Sequence, residues 1–322
     1  MEQIDILMAT YNGEKYLREQ IESILNQTYK NIRLIISDDC STDQTREIIK
    51  QYEKKDSRIK VYLQEQNLGY LKNFNFLLTK VENNIYMLSD QDDIWLPQKV
   101  EKTYKFLKQN NSDLVFTDLL VVDEKGNEVN KSFDKLMNLT KKIKKTVGTY
   151  KLAYLYNSVT GCTIMSKKEQ LNKILDIPTN SKHVFHDHWI ALSVSINGKV
   201  SYLEEPLIKY RQHGDNQVGA KHTIDKFNKF DEIRNHFIDV KLGVFETYVK
   251  NPKIFTVQLN KLNEKSYNYY KMLSKKRNIN FRNWFLFHKL YKNENFKYYI
   301  ENFLILNIPC IVRTFFNNRI QH

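Results

Sequence analysis

Four short apolar runs open the chain at near-equal intervals: IDILMA (4–9), IRLIIS (32–37), IKVYLQ (59–64) and IYMLS (85–89), with starts 28, 27 and 26 residues apart. That interval suits a strand, a crossover helix and two short turns, and a parallel strand cannot follow its predecessor without such a crossover. Between the runs the apolar residues change to helical spacing. Tyr16, Leu17, Ile21, Ile24 and Leu25 mark a first helix, Ile48, Ile49 and Tyr52 a second, and Phe74, Leu77, Leu78 and Val81 a third. Ser41-x-x-Gln44 reads as a capping box opening the second. Near-continuous apolar strands suit a sheet covered on both faces. The fold class is therefore α/β: a mixed, mainly parallel sheet flanked by helices.

The pattern continues less regularly. A helix runs from Pro97 to about Asn110, DLVFTDLLVVD (113–123) and TGCTIMS (160–166) read as strands, and HDHWIALSVSIN (186–197) reads as a helix. The lysine-rich stretch 124–148 reads as a mobile loop. Beyond residue 220, apolar residues at 224, 227, 230, 233, 237, 240 and 244 trace one face of an amphipathic helix.

Charge divides the chain in the same place. The formal net charge is +13, and 19 of the 50 Lys and Arg but 8 of the 37 Asp and Glu lie beyond residue 220. So do 20 of the 41 aromatic residues. We read a nearly neutral domain over 1–220 and a basic, aromatic, helical region over 221–322. Three widely spaced cysteines, Cys40, Cys162 and Cys310, suggest neither a disulfide framework nor a zinc knuckle, which favours a reducing compartment. The start of the chain does not read as a signal peptide. The uncharged, strongly apolar run Asn302 to Val312 is well short of the roughly 20 residues that span a bilayer.

Ligands of open α/β sheets bind outside the carboxyl ends of the strands. Here those ends read Thr10-Tyr11-Asn12-Gly13, Asp38-Asp39, Asn67-Leu68-Gly69 and Asp90-Gln91-Asp92-Asp93. No G-x-G-x-x-G follows the first strand and no G-x-x-x-x-G-K-[ST] occurs. Without a glycine-rich anion cradle, a phosphate ligand needs a cation to bridge it to the protein. Asp90, Asp92 and Asp93 have the hard oxygens that Mg2+ and Mn2+ share with phosphates. The same acids also read as a solvated turn that caps the helix after Pro97.

Taken jointly, MATYNGEKYL, IISDDCSTDQT, NLGYLKNFN and SDQDDIWLPQK resemble, in order and spacing, the nucleotide-sugar-binding half of family 2 glycosyltransferases with a GT-A fold. TGCTIMSK, HDHWIALSVSINGKV and EPLIKYRQHGDNQVG resemble the acceptor half of bacterial polysaccharide rhamnosyltransferases in that family. The resemblance covers about residues 1–220, with the nucleotide half at 1–118 and the acceptor half at 119–220. It implies that Thr10, Tyr11, Asn12, Asp38 and Asp39 hold the nucleoside, and that Asn67, Gly69 and Asn73 shape the diphosphate side. It puts Asp90 near the ribose, Asp92 and His213 on a Mg2+ or Mn2+ ion, and Arg211 on the phosphates. Asp187 is the implied base of an inverting transfer. The family usually has Glu before that residue; here His186 precedes and His188 follows, so either imidazole could compete for the role. The implied donor is dTDP-β-L-rhamnose, with UDP-hexoses as the alternative, and the implied acceptor is a lipid-linked cell-surface saccharide. A non-catalytic nucleotide-sugar-binding partner of a synthase complex is the reading outside enzymology. The basic, aromatic region suits an anionic membrane surface, at the cytoplasmic inner face, better than nucleic acid, for which no binding signature accompanies it.

Overall fold

The computed structural model describes residues 2–133, 139–154, 157–174, 177–214 and 230–275. The first four apolar runs form β1 (Ile4–Thr10), β2 (Ile32–Asp38), β3 (Ile59–Leu63) and β4 (Ile85–Ser89). The helices between them are α1 (Leu17–Leu25), α2 (Thr45–Lys55) and α3 (Tyr70–Leu78). Next come β5 (Ile94–Trp95), α4 (Lys99–Gln109), β6 (Leu114–Val122) and β7 (Glu128–Asn130). They are followed by α5 (Thr140–Thr146), α6 (Lys151–Tyr154), β8 (Met165–Lys167), α7 (Leu171–Ile174), α8 (His186–Asn197) and β9 (Val200–Arg211).

Among the described residues nine strands form one mixed sheet in the order β3-β2-β1-β4-β8-β6-β9-β5, with β7 beside β6. The long ladders are parallel: β1 with β2 and β4, β2 with β3, and β6 with β9. The short ones, β4 with β8, β6 with β8 and β5 with β9, are antiparallel. This is the expected α/β architecture of GT-A type. Alternation along β1 sends Ile4, Ile6 and Met8 into one cluster with Leu17, Ile21 and Ile24 of α1 and Val100 and Leu107 of α4. Leu7 on the opposite face is equally buried. Each such side chain contributes about 1.5–3 kcal/mol on burial.

Three local expectations are corrected. TGCTIMS is not one strand: Gly161–Thr163 forms a 3-10 turn, and pairing begins only at Met165. The stretch 124–148 is not a plain loop, because it contains β7 and α5. The capping box does not form. Helix α2 starts at Thr45 with Gln44 as N-cap, while the Ser41 hydroxyl bonds to Asp38.

Register explains how distant segments converge. In β1, Thr10 lies opposite Asp38 of β2, and Met8 opposite Ser89 of β4, so three carboxyl ends open on one side. Antiparallel pairing of Ile94 with Lys209 and Trp95 with Ile208 then brings the end of β9 beside the turn that follows β4.

The chain separates into two compact units, Met1–Thr179 with Phe185–Gln217, and Asn180–Val184 with the residues from Val218 onward. In the second unit, α9 (Phe230–Lys250) and α10 (Val257–Lys275) pack through Phe245, stacked on Tyr270 at 5.7 Å, with Tyr248 and Leu273 buried. Thr247 donates its hydroxyl to Ser181 at 3.0 Å. Positions 224 and 227 of the expected amphipathic face, and everything beyond 275, lie outside the described residues. No described helix is long and apolar enough to cross a membrane.

Candidate active site

At the ends of β1 and β2 the polar groups bind one another. Asp38 is fully buried and accepts hydrogen bonds from the Thr10 hydroxyl (3.2 Å), the Ser41 amide (3.0 Å) and Arg46 Nε (2.7 Å). Asp39, nearly as buried, accepts the amides of Leu68 (2.7 Å) and Gly69 (2.9 Å), and so ties the Asn67–Gly69 loop to β2. Asn67 Oδ1 also accepts the Gly69 amide. Gly69 has φ +82°, a conformation that disfavours side chains, and it leads directly into α3. Asn12 takes φ +46°, its amide donates to Ser41 Oγ, and its side chain accepts the Thr42 amide. Tyr11 is left 46% exposed.

Asn73 is 1% exposed and spends its side chain on the Ser37 carbonyl and hydroxyl, which fastens α3 to β2. Asp38, buried and hydrogen-bonded to Thr10, Ser41 and Arg46, braces the loop.

The turn after β4 is built differently. Gln91 clasps the β1 loop with two bonds, accepting the Tyr11 amide (2.9 Å) and donating to the Tyr11 carbonyl (3.0 Å). Gly13 makes room for it, since a Cβ there would lie 2.3 Å from Gln91 Oε1. Asp92 is partly exposed, and its Oδ2 lies 2.9 Å from His213 Nε2. Burial pushes the Asp90 carboxyl up to about 7, with further upward pressure from Asp92 and Asp187. Burial raises Asp93 well above the carboxylate range, again with help from Asp92 and Asp90. Asp93 Oδ1 accepts the Arg211 amide at 3.2 Å, while Oδ2 meets no N–H or O–H donor among the described residues.

Arg211 is buried at the end of β9. Its guanidinium, 2% exposed, donates to the Asp92 carbonyl (2.9 Å) and the Glu124 carbonyl (2.8 Å), pairs with Glu19, and lies over the Tyr16 ring. It fastens the end of β9 to the acidic turn.

Asp187 sits in the first turn of α8, and its charge is felt by both Asp90 and Tyr70. Burial pushes its carboxyl up to about 6, against the stabilising hydrogen bonds of the His188 amide, Asn157 and the Gly161 backbone. The competing imidazole is disqualified by its surroundings. His186 stacks on Phe74 at 3.9 Å, neither ring nitrogen has a hydrogen-bond partner among the described residues, and burial drives its basicity down to about 3. Gly161 admits that ring, because a Cβ there would lie 2.7 Å from His186 Nε2. His188 is buried, and its amide donates to Asp187. Trp189 is core, donating Nε1 to the Ile174 carbonyl at 2.8 Å.

Two sets of donors could interest a cation. Asp90, Asp93 and Cys162 offer ligand atoms within 4.8 Å of one another. Burial, aided by Asp93 and Asp90, raises the Cys162 thiol well above its usual range, so it stays S–H and is a poor ligand. Asp92 and His213 offer an oxygen and an imidazole nitrogen at the partly exposed edge of the turn. That pair suits Mg2+ or Mn2+ completed by phosphate oxygens.

Sequence reasoning missed Gln91, Arg46 and Lys99. Gln91 lies in the turn after β4 and Arg46 in the first turn of α2, and neither has a pattern to mark it. Lys99 did carry a signal, because it shares the buried stripe of α4 with Val100, Thr103 and Leu107.

Comparison with known proteins bears on this geometry. The family model described as Glycosyl transferase family 2 matches residues 5–174. The chain is 31% identical over 241 residues to an uncharacterized glycosyltransferase of Methanocaldococcus jannaschii, covering 74% of this chain and 80% of that one. It is 32% identical over 241 residues to the dTDP-rhamnosyl transferase RfbG of Shigella flexneri, covering 71% and 79%. Among solved structures, S. aureus TarS 1-349 in complex with UDP-GlcNAc superposes with a TM-score of 0.57 at 20% identity, covering 84% of this chain and 71% of that one, a likeness of fold.

Proposed function

Because the chain belongs to glycosyl transferase family 2, we propose that it transfers a sugar, with inversion, from a nucleotide donor to a saccharide acceptor at this site. The observation that carries the reading is the grouping of Asp92 and His213, 2.9 Å apart, with Asp90 and Asp187 beyond the carboxyl ends of β1, β2 and β4.

The roles follow from what each group can still do. Tyr11 and Asn12 border the nucleoside, and Asp39 retains acceptor capacity for the imide N–H that uracil and thymine share. Asp90 lies toward the ribose, and Gly69 leaves room beside the diphosphate. Asp92 and His213 would hold a Mg2+ or Mn2+ ion, which when bound neutralises charge on the departing nucleoside diphosphate. Thr10, Asp38, Asn73 and Arg211 hold these residues in place. Asp187, raised to about 6, is ionised at neutral pH yet basic enough to take the acceptor hydroxyl proton as the oxygen attacks the anomeric carbon. An intact Asp92 and Asp187 argue against a purely non-catalytic partner.

The preferred donor is dTDP-β-L-rhamnose, supported by the motifs of the acceptor half and by the likeness to RfbG. A UDP-hexose is the second reading, favoured by the shared imide edge and by the nucleotide sugar held in the TarS fold. The acceptor is a lipid-linked cell-surface polysaccharide, and the basic, aromatic region from 221 docks on the anionic inner face of the cell membrane.

Calorimetric titration of the full chain with dTDP and with UDP, each with and without Mn2+, tests the reading. Mn2+-enhanced binding that favours dTDP supports the rhamnosyl assignment, and preference for UDP moves the donor to the second reading. Binding of neither nucleotide overturns the assignment of a donor site.

A further inference from the structure

No side-chain cap fixes the angle at which the first turn of α8 presents Asp187: the N-cap residue is Phe185, with no capping hydrogen bond. The constraint comes instead from the residue before the base. His186 is buried with its ring stacked on Phe74, 3.9 Å between centroids and 9° between planes. Tyr70, one turn earlier on the same face of α3, meets the imidazole edge-on at 6.3 Å. Helix α3 is itself fastened to β2 through Asn73 and Ser37.

Gly161 closes the other side of the ring. A Cβ there would lie 2.7 Å from His186 Nε2 and 3.4 Å from Asp187 Cβ, and the Gly161 backbone hydrogen-bonds to the Asp187 carboxyl. One backbone unit touches both the ring and the base. Gly161 is outside the left-handed region, so the missing side chain is a matter of space and not of conformation. A ring placed for proton transfer needs an aligned partner. Neither nitrogen of His186 has one among the described residues, and an unpartnered buried N–H costs about 1–3 kcal/mol. What the imidazole supplies is shape, a flat ring that fills the slot between Phe74 and Gly161.

We propose that His186 is a positioning residue for Asp187, a ring clamped between Phe74 and Gly161 that fixes the first turn of α8 and uses neither nitrogen in the transfer. The sheet sets α3, α3 sets the ring, and the ring sets the carboxyl one residue further on. The proposal rests on the reading of Asp187 as the base.

The test measures release of nucleoside diphosphate from dTDP-β-L-rhamnose and from UDP-glucose by the full chain, with water as acceptor. Water attacks the anomeric carbon, its proton passes to Asp187, and the sugar–phosphate bond breaks. His186→Ala empties the slot and should lower kcat about 50-fold, while dTDP and UDP affinities stay within about threefold. The titratable groups that face Asp187 are Asp90 from the turn after β4, Tyr70 from α3 and the histidines on either side of it. None of the first three changes in this variant, so the acid limb of kcat/KM, near 6 in the unaltered protein, should fall by about one pH unit as water reaches the carboxyl. His186→Leu restores apolar volume without a nitrogen, and should keep kcat within about threefold and the limb in place. Gly161→Ala pushes the ring off Phe74 and should match His186→Ala. In the double variant Gly161→Ala with His186→Ala the added methyl meets only the vacated slot, so kcat should be no lower than for His186→Ala alone.

A His186→Leu protein as impaired as His186→Ala, unchanged kcat in His186→Ala, or losses that multiply in the double variant would overturn the proposal. Asp187→Asn separates this failure from that of the base. If it releases nucleotide at the unaltered rate, the base assignment falls and the proposal with it. If it is inactive, the His186 and Gly161 results bear on the proposal alone.

Discussion

At the ends of β1 and β2, Asp38 takes donors from Thr10, Ser41 and Arg46, and Asp39 takes the amides of Leu68 and Gly69. One strand away, at the end of β4, Asp93 has a single backbone donor, and Asp90 is pushed up to about 7. Asp92 there faces a histidine across 2.9 Å at a partly exposed edge. Both regions are rich in carboxylates, and both sit at the same end of one sheet. In the first, the carboxylates hold loop backbone in shape and are stabilised by doing so. In the second, carboxylates crowd together without enough donors, which raises their proton affinity and leaves them suited to bind something positive. A saturated cluster shapes a pocket; an unsaturated one acts on what enters it.

That contrast can be broken first at its reactive edge. Asp187→Asn removes the base while keeping a hydrogen-bond acceptor, and should lower the transfer rate by about 1,000-fold, some 4 kcal/mol in the barrier. Nucleotide affinity should stay within threefold. In the unaltered enzyme the base must be ionised, so kcat/KM should fall about tenfold per pH unit below the Asp187 value near 6 and level off above it. Steady-state rates across pH 5–8 (a range of about three units) check both. Substantial turnover in the variant would move the base elsewhere.

A smaller effect of a different kind is expected on the saturated side. Asp38→Ala strands Thr10, Ser41 and Arg46 and should cost about 2 kcal/mol of stability, lowering Tm by about 6 °C. The protein that remains folded should keep its Mn2+ response. A loss of Mn2+ response at unchanged Tm would erase the distinction between the two regions.

The sheet was legible because period and interval are physical requirements of βαβ units: β1 to β4 lie where the apolar runs put them. So was α8, whose span matches the expected helix. TGCTIMS misled because an apolar run does not separate a 3-10 turn from a strand. Ser41 and Gln44 have the composition of a capping box, but the buried Asp38 carboxylate takes the serine hydroxyl. Site residues were legible as types and not as orientations. Asp92 and His213 are 121 positions apart and meet through the pairing of β5 with β9, which composition does not reveal. The protein partners of Arg211 and Asn73, the Asp92 carbonyl and Ser37, were likewise not legible in the sequence. Lys99 shows the converse, a charged residue on the buried stripe of α4 whose Nζ lies 3.7 Å over the Trp95 ring.

The most direct test of the account compares nucleotide binding by the unaltered chain and by Asp92→Ala, each with and without Mn2+. The account predicts equal metal-free affinities, at least a roughly tenfold gain with Mn2+ in the unaltered protein, and loss of that gain in the variant. A variant that retains the full Mn2+ gain would contradict it, because the cation would then be held by groups other than the exposed edge of the acidic turn.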